Sequence, residues 1–543
     1  MKRFACLALA MLMLTALFTG CGAKETAEEN SSGDYLKDKV SVGISADGGS
    51  FSPATNTSWG NVEFCLFQSL AIMDNEGGLR LQMLKSFEEV DETHYACELW
   101  DCIYDSAGNN FTANDVAFCI DQFIATGNGG GLAHFDHVEV TGDYTFNWVL
   151  TEPFSVGEMA KSFSNVSLFT EAGYLSTGAD EMVTQPIGTG PYMLKEYVPG
   201  SSVTLVANEN FWMNNIEDEE WLSENYYLVD EQNVREIEYM IIQESASRAI
   251  ALEMGTVVAI DTGNSADMEN YKAHPEMGID IVRRPVNAPV AYYFDCNEAS
   301  PCSDVNLRKA ICYALDNVAI VEACNYPADP AYGIQPRMYD APESWTTGVN
   351  ADGTERDYYN YNLALAKEYL AKSDYDGTPL NVFYMNQGAI ADVVIMFQSA
   401  LKEIGITVNL VAADISTLNA YMIDYTKWDV MFDIMGGGNY LSSVLKEFWT
   451  EDSAPTCNGM QVTGIVDEKL DELYVELMGI DYTKDPERWE EVVDAWDEYF
   501  TYEQCYGYAV CCYYDQSACL STVTPAISGS QNKLTVGAFT YSD

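Results

Sequence analysis

The chain is 543 residues long and carries 83 Asp and Glu against 27 Lys and Arg, a formal charge of −56. At 48% hydrophobic and 12% aromatic it holds too much apolar material for a disordered polyanion, and its length predicts roughly two to four domains. So large an acidic excess argues against nucleic acid and against an electrostatic grip on anionic lipid, since both need clustered Lys and Arg.

Lys2 and Arg3 precede an apolar run from Phe4 to Phe18 in which Thr15 is the one polar residue. That is the pattern of an export signal, too short for an ordinary spanning helix. Phe18-Thr19-Gly20-Cys21 closes it, and Ala23 to Asp34 is polar and rich in Glu and Ser, as a tether would be. Val40 to Ser45 alternates with period two and predicts the first strand of the mature domain. Tyr95 to Trp100, Tyr144 to Leu150 and Ser202 to Val206 read as further strands, and Thr112 with Asp115 as a capped helix start. Asp304 caps a predicted helix with Leu307, Ala310, Ile311, Ala314 and Leu315 on one face, and Arg308 is expected to pair with Asp304. Asn362 caps a similar helix. Val393 to Ile404 is helical, Gly405 stops it, and Ile406 to Val411 follows as a strand. Trp489, Val492, Val493, Trp496 and Phe500 form a helical stripe read as core. The mixture predicts a multi-lobed α/β protein.

Enzyme signatures are absent: no HExxH, no GxSxG, no GxxxxGK[ST], no GxGxxG opening a helix. Of four His, only His134 and His137 lie close in sequence. They are placed in a loop after Gly129-Gly130-Gly131, and without a third ligand they predict no metal site. Fifteen Cys contain no CxxC, and the expectation is mostly buried free thiols with at most one or two bridges. No enzyme activity and no cofactor are expected.

Several segments resemble one family. Asp105 to Val116 is similar to its "DGxxFTAxDV" segment. Gly188-Thr189-Gly190-Pro191-Tyr192 with Asn208 to Trp212 is similar to "GTGPYxL…NxxYW". Asp304 to Ala310 with Ala314 to Asp316, the helix from Asn362 to Leu370, and Ile404 to Ile406 with Trp428 to Val430 complete the series. In this order they resemble the oligopeptide/dipeptide-binding family of extracytoplasmic solute-binding proteins, the receptor subunits of ABC importers, over residues 38 to 530. Read locally, Gly188 and Gly190 supply backbone freedom for a tight turn.

The resemblance implies a bilobed α/β fold of the periplasmic-binding-protein type II, in the large peptide-binding variant with an extra inserted domain. Residues 1–21 would be a lipoprotein signal and lipobox, and 22–37 a tether. Domain I would comprise 38–62, 186–283 and 505–543, domain II 63–185, and domain III 284–504. Cys21 would carry the lipid that holds the protein at the outer face of the cell membrane, with Phe18 standing where the lipobox usually has Leu. Ligand would be trapped between lobes by hinge closure and handed to the permease subunits by a monomeric receptor. The implied ligand residues are Asp47, the segment holding Met435, Gly436, Asn439 and Tyr440, and Tyr513 with Tyr514. Peptide-binding members place an Asp for the peptide ammonium where this chain has Asn439, so either Asp433 or Asp47 replaces it or the ligand is not a free-amine peptide. An oligopeptide is the leading ligand, an oligosaccharide or other small solute the alternative. A secreted hydrolase or a scaffold lipoprotein stands outside the class.

Overall fold

A computed structural model describes residues 35–542, leaving aside 56–61, 76, 127–131, 133–134, 152–161, 165, 179–181, 286–288, 325–326, 339, 351, 357–358, 386–387, 415–416, 419–420, 422–423, 435–440, 449–463, 481, 483 and 529–532. Cys21, His134 and the segment holding Met435, Gly436, Asn439 and Tyr440 therefore lie outside the described residues. No helix among the described residues is long and apolar enough to cross a membrane.

The first strand, Lys37–Ile44, forms where Val40, Val42 and Ile44 alternate inward. It pairs in parallel with Val234–Ile241 on one side and with Ala259–Ile260 on the other. The hairpin Tyr192–Val198 and Ser202–Ala207 extends this sheet outward. These strands make lobe one. In lobe two, Leu380–Met385 lies between Val408–Ala413 and Val430–Ile434, both parallel to it, and Val430–Ile434 pairs antiparallel with Val290–Phe294. Every residue of Val290–Phe294 is buried, as expected of a strand covered on both faces.

One strand joins the two. Gly507–Leu520 is 14 residues long, roughly 45 Å of extended chain. Its first part pairs with Val290–Tyr293 in lobe two and its last part with Ile279–Pro285 and Ala259–Ile260 in lobe one. Ile279–Pro285 in lobe one and Val290–Phe294 in lobe two both lie antiparallel to this strand. We refer to Gly507–Leu520 as the crossing strand.

A separate four-stranded antiparallel sheet runs in the order Leu84–Asp91, His94–Leu99, Thr145–Leu150, Phe135–Val140. The helix Ala113–Ala125 packs on it and begins as the sequence predicts: the Thr112 amide and hydroxyl donate to Asp115 at 2.7 and 2.8 Å. The helix Val305–Tyr313 is capped by Asp304, which accepts from Asn306 N at 2.8 Å, and Leu363–Lys372 by Asn362, which accepts from Leu365 N at 3.0 Å. Gly405 ends the helix Gly388–Glu403 with φ of 91°. The stripe Trp489, Val492, Val493, Trp496 and Phe500 is buried along Pro486–Asp497 and the wider turn Glu498–Glu503, with Trp496 and Phe500 stacked at 4.8 Å.

Four local expectations need correction. The strand after Gly405 begins at Val408, two residues later than its apolar pattern, because Ile406 is spent on core contact before pairing starts. His137 sits in the strand Phe135–Val140, exposed and paired with Asp136, because the alternation there outweighs the preceding glycines. Arg308 does not pair with Asp304: it is 3% exposed, turned inward, and donates to the carbonyls of Cys302, Ser303 and Gln504. Gly188 and Gly190, expected to give backbone freedom for a tight turn, instead allow close approach, and neither has a positive φ. A Cβ on Gly188 would stand 2.0 Å from Leu66 O and one on Gly190 2.5 Å from Cys65 O, where the backbone of the two segments is hydrogen-bonded.

Candidate functional site

In open α/β sheets ligands collect at the carboxyl ends of parallel strands. In lobe one those ends are Ile44 and Ile260, and the next residues build a polar knot. Asp261 Oδ2 accepts from the Ser45 amide at 2.9 Å and from its hydroxyl at 2.8 Å, tying the two strand ends together. The Asp261 carbonyl accepts from Ser517 Oγ of the crossing strand at 2.6 Å and from Arg284 Nη2 of the adjoining strand Ile279–Pro285 at 2.8 Å. Arg248, 4% exposed on the helix Ser245–Glu253, lies 3.6 Å from Asp261 Oδ1 and donates to the carbonyls of Ile242, Gln243 and Thr262.

Asp47 lies two residues beyond Ser45. Its carboxylate is engaged within lobe one: Oδ1 accepts from Gly49 N at 3.0 Å and Tyr197 hydroxyl at 2.7 Å, and Oδ2 from Gly200 N at 2.5 Å. Burial works to raise its carboxyl, but these three bonds outweigh it and hold Asp47 below the usual carboxylate range. Burial, the bond to Asp47 and its charge push Tyr197 up to about 12. Phe51 meets the Tyr197 ring edge-on at 5.1 Å. Asp47 thus fixes the loop after the first strand onto the turn of the neighbouring hairpin.

Tyr513 and Tyr514 are adjacent on the crossing strand where it passes between lobes, Tyr513 opposite Ala328 of lobe two and Tyr514 opposite Pro285 of lobe one. Arg337 stands over the Tyr514 ring at 4.1 Å, donates to the Tyr513 carbonyl at 2.7 Å and pairs with Asp329 at 3.2 Å, while the Tyr514 hydroxyl also bonds Asp329. Burial, ahead of that bond, raises the Tyr514 hydroxyl. Arg283 lies 6.0 Å from the same ring. Asp433 is 7% exposed inside Val430–Ile434.

Sequence reasoning missed the charged pairs that collect at this crossing. Arg248 lies against Asp261, Arg284 against Asp515 and Arg337 against Asp329, with Arg283 and Lys533 beside them, in a chain with only 27 cationic residues. Burial, then the charge of Arg284, lowers Lys533, against the opposing pull of Asp515 and Asp261. Isolated Arg residues far apart in sequence give no pattern; the pair Arg283-Arg284 just before the lobe boundary was the one available signal. A cavity of about 530 Å³ opens here. Ser265, Lys272, Arg283 and Gln516 line it from lobe one, and Cys324 and Ala328 from lobe two. Glu269 lies 3.5 Å from Lys272 and offsets it, which leaves Arg283 as the dominant charge. A second cavity, about 630 Å³, lies in lobe two between Asp340 and the helix Pro486–Asp497. Asp340 also accepts from Leu441 N at 2.5 Å, directly after the segment 435–440. Among the described residues no group of three or more His, Cys, Asp or Glu is arranged to hold a metal.

The family model described as bacterial extracellular solute-binding proteins, family 5 Middle, matches residues 78–452. The chain belongs to this family. The oligopeptide-binding protein AppA of Bacillus subtilis is 22% identical over 521 residues, covering 88% of each chain. Its crystal structure in complex with a nonapeptide superposes with a TM-score of 0.68 at 17% identity, over 94% of this chain and 100% of that one. NikA of Brucella suis in complex with Fe(III)-EDTA gives a TM-score of 0.75 at 17% identity, over 93% and 100%. The fold is accordingly the bilobed periplasmic-binding-protein fold of family 5, and this protein is a family 5 substrate-binding protein of the ABC-transporter type.

Proposed function

We propose that this protein is a lipid-anchored receptor that captures an oligopeptide between its two lobes and delivers it to the permease of an ABC importer. The observation that carries the reading is the crossing strand. The crossing strand pairs with lobe two as far as Tyr513 and with lobe one from Tyr514 onward, so bending at Tyr513–Gln516 changes the cleft while leaving both cores intact. Ligand contacts made by both lobes stabilise only the closed state, which makes closure depend on ligand. Arg283, beside the interlobe cavity, supplies a partner for a peptide carboxylate. Asp47, Asn439, Tyr440, Tyr513 and Tyr514 are assigned to the cleft wall, with domains at 38–62, 186–283 and 505–543, at 63–185, and at 284–504. Cys21 bears the lipid.

The test is a ligand panel. Protein freed of ligand by unfolding and refolding is scanned for thermal shift against di- to octapeptides and against cello- and xylo-oligosaccharides. At least one peptide should raise the melting temperature by mass action and compact the molecule in X-ray scattering. Sugar responders alone select the oligosaccharide reading, and a flat panel refutes both. Cys21→Ala should release the protein from membranes and abolish lipid labelling; labelling that persists refutes the anchor.

A further inference from the structure

Twelve cysteines are described, ten of them buried and all free in this structure. Two of them face each other. Cys312 Sγ and Cys505 Sγ are 3.3 Å apart although 193 residues separate them in sequence. Both are fully buried. Cys312 lies on the inner side of the helix Val305–Tyr313, and Cys505 in the link between the turn Glu498–Glu503 and the crossing strand.

The surroundings hold this pair in register. The Tyr292 hydroxyl donates to Cys312 Sγ at 3.1 Å. Arg308, one helical turn before Cys312, donates to the Gln504 carbonyl through Nε at 3.1 Å and Nη2 at 2.7 Å, fixing the residue that precedes Cys505. Cys505 is the one non-glycine residue in the left-handed region among those described, with φ of 55°. That conformation is costly for a residue with a Cβ, and here it aims the side chain at Cys312. Closing 3.3 Å to a disulfide bond takes about 1.2 Å of sulfur movement. We propose that Cys312 and Cys505 are a disulfide-forming pair, oxidised outside the cytoplasm by an organic disulfide or a protein thiol–disulfide oxidoreductase.

The chemistry balances as two successive exchanges. The thiolate of Cys505 attacks one sulfur of R–S–S–R, forming a mixed disulfide and expelling RS⁻. Cys312 then gives its proton to the departing thiolate and attacks the Cys505 sulfur, expelling the second RS⁻. Two protein thiols lose two electrons and two protons, and the organic disulfide is reduced to two thiols. Cys505 suits the attacking role. Burial works to raise its thiol, but hydrogen bonds with Cys312 and Tyr359 and the charges of Arg308 and Lys309 outweigh it and place Cys505 below an ordinary thiol, while burial drives Cys312 well above one. Because the pair is enclosed, exchange belongs to folding or to local opening. Family 5 members are extracellular, where disulfides persist. The bond would tie a helix of lobe two to the root of the crossing strand and leave the passage between lobes free to bend.

The test refolds the full chain from denaturant in a glutathione and glutathione-disulfide buffer, blocks remaining thiols with a maleimide under denaturing conditions, and maps peptides. Two thiols should be protected, and the cross-linked peptides should contain Cys312 and Cys505. Reductant should lower the melting temperature of the oxidised protein, and Cys312→Ser should remove both the cross-link and that sensitivity. Full labelling of every thiol, or a cross-link joining a different pair, would overturn the proposal. The wild-type map decides the matter even where a variant fails to fold.

Discussion

Replacing Arg356 tests whether lobe two depends on a buried ion pair. Arg356 is 5% exposed; it donates from Nη2 to Asp497 Oδ2 at 2.9 Å and from Nη1 to Asp494 Oδ1 at 2.8 Å. Asp497 is fully buried and also accepts from the Thr501 hydroxyl at 2.8 Å. Burial raises the Asp497 carboxyl above its usual range, and the charge of Arg356 is the largest influence pulling it back. Arg356→Met keeps most of the apolar volume and leaves Asp497 buried without its counter-ion, a loss of about 3–5 kcal/mol. The pH dependence follows from linkage. Without Arg356 the folded-state pKa of Asp497 climbs further above its unfolded value, so the variant takes up a proton on folding and loses stability as pH rises towards that folded value. Urea denaturation followed by tryptophan fluorescence should therefore give the full cost at pH 8. At pH 5 the cost should be smaller by at least about 1.4 kcal/mol, the worth of a tenfold gain in the proton affinity of the folded state. Asp497→Asn placed on the variant should recover about 2 kcal/mol at pH 8 by removing the orphaned charge. A cost under about 1 kcal/mol, or one equal at pH 5 and pH 8, would refute the reasoning.

Gly190→Ala should destabilise the protein by about 3 kcal/mol or more, since its Cβ would meet backbone atoms of Cys65 and Leu66 that cannot swing aside; a loss under about 1 kcal/mol in the same denaturation assay would show that this junction yields. Asn439→Asp should strengthen binding of a free-amine peptide relative to its N-acetylated twin, by up to roughly 1.5–3 kcal/mol in calorimetry. A wild type that already prefers the free amine strongly, with no change in the variant, would assign the ammonium to another acid.

The local parts of this fold were legible because they rest on short-range chemistry. Thr112 with Asp115, Asp304, Asn362 and Gly405 mark helix ends through contacts within a few residues, and they stand where the side chains and backbone require. The apolar stripe from Trp489 to Phe500 is buried for the same reason. The family itself was readable from short motifs in order, several of which are such caps and turns.

Long-range partnership is where sequence fell short. Arg308 has Asp304 one turn away, yet its guanidinium turns to the Gln504 carbonyl, 196 residues distant, because burial demands that its donors be satisfied and Asp304 is already capping. Asp47 was visible as an acid in a loop, but only folding brings Tyr197 and Gly200 against it. The α/β class, the family and the capped helix ends could be read from the linear chain, since they follow from periodicity and neighbouring side chains, whereas the helix expected from Val393 in fact begins at Gly388. The charged pairs at the crossing, the meeting of Cys312 with Cys505 and the run of one strand through both lobes emerge only once the chain is folded. Those depend on which distant segments pack together, and no interaction between sequence neighbours records that choice.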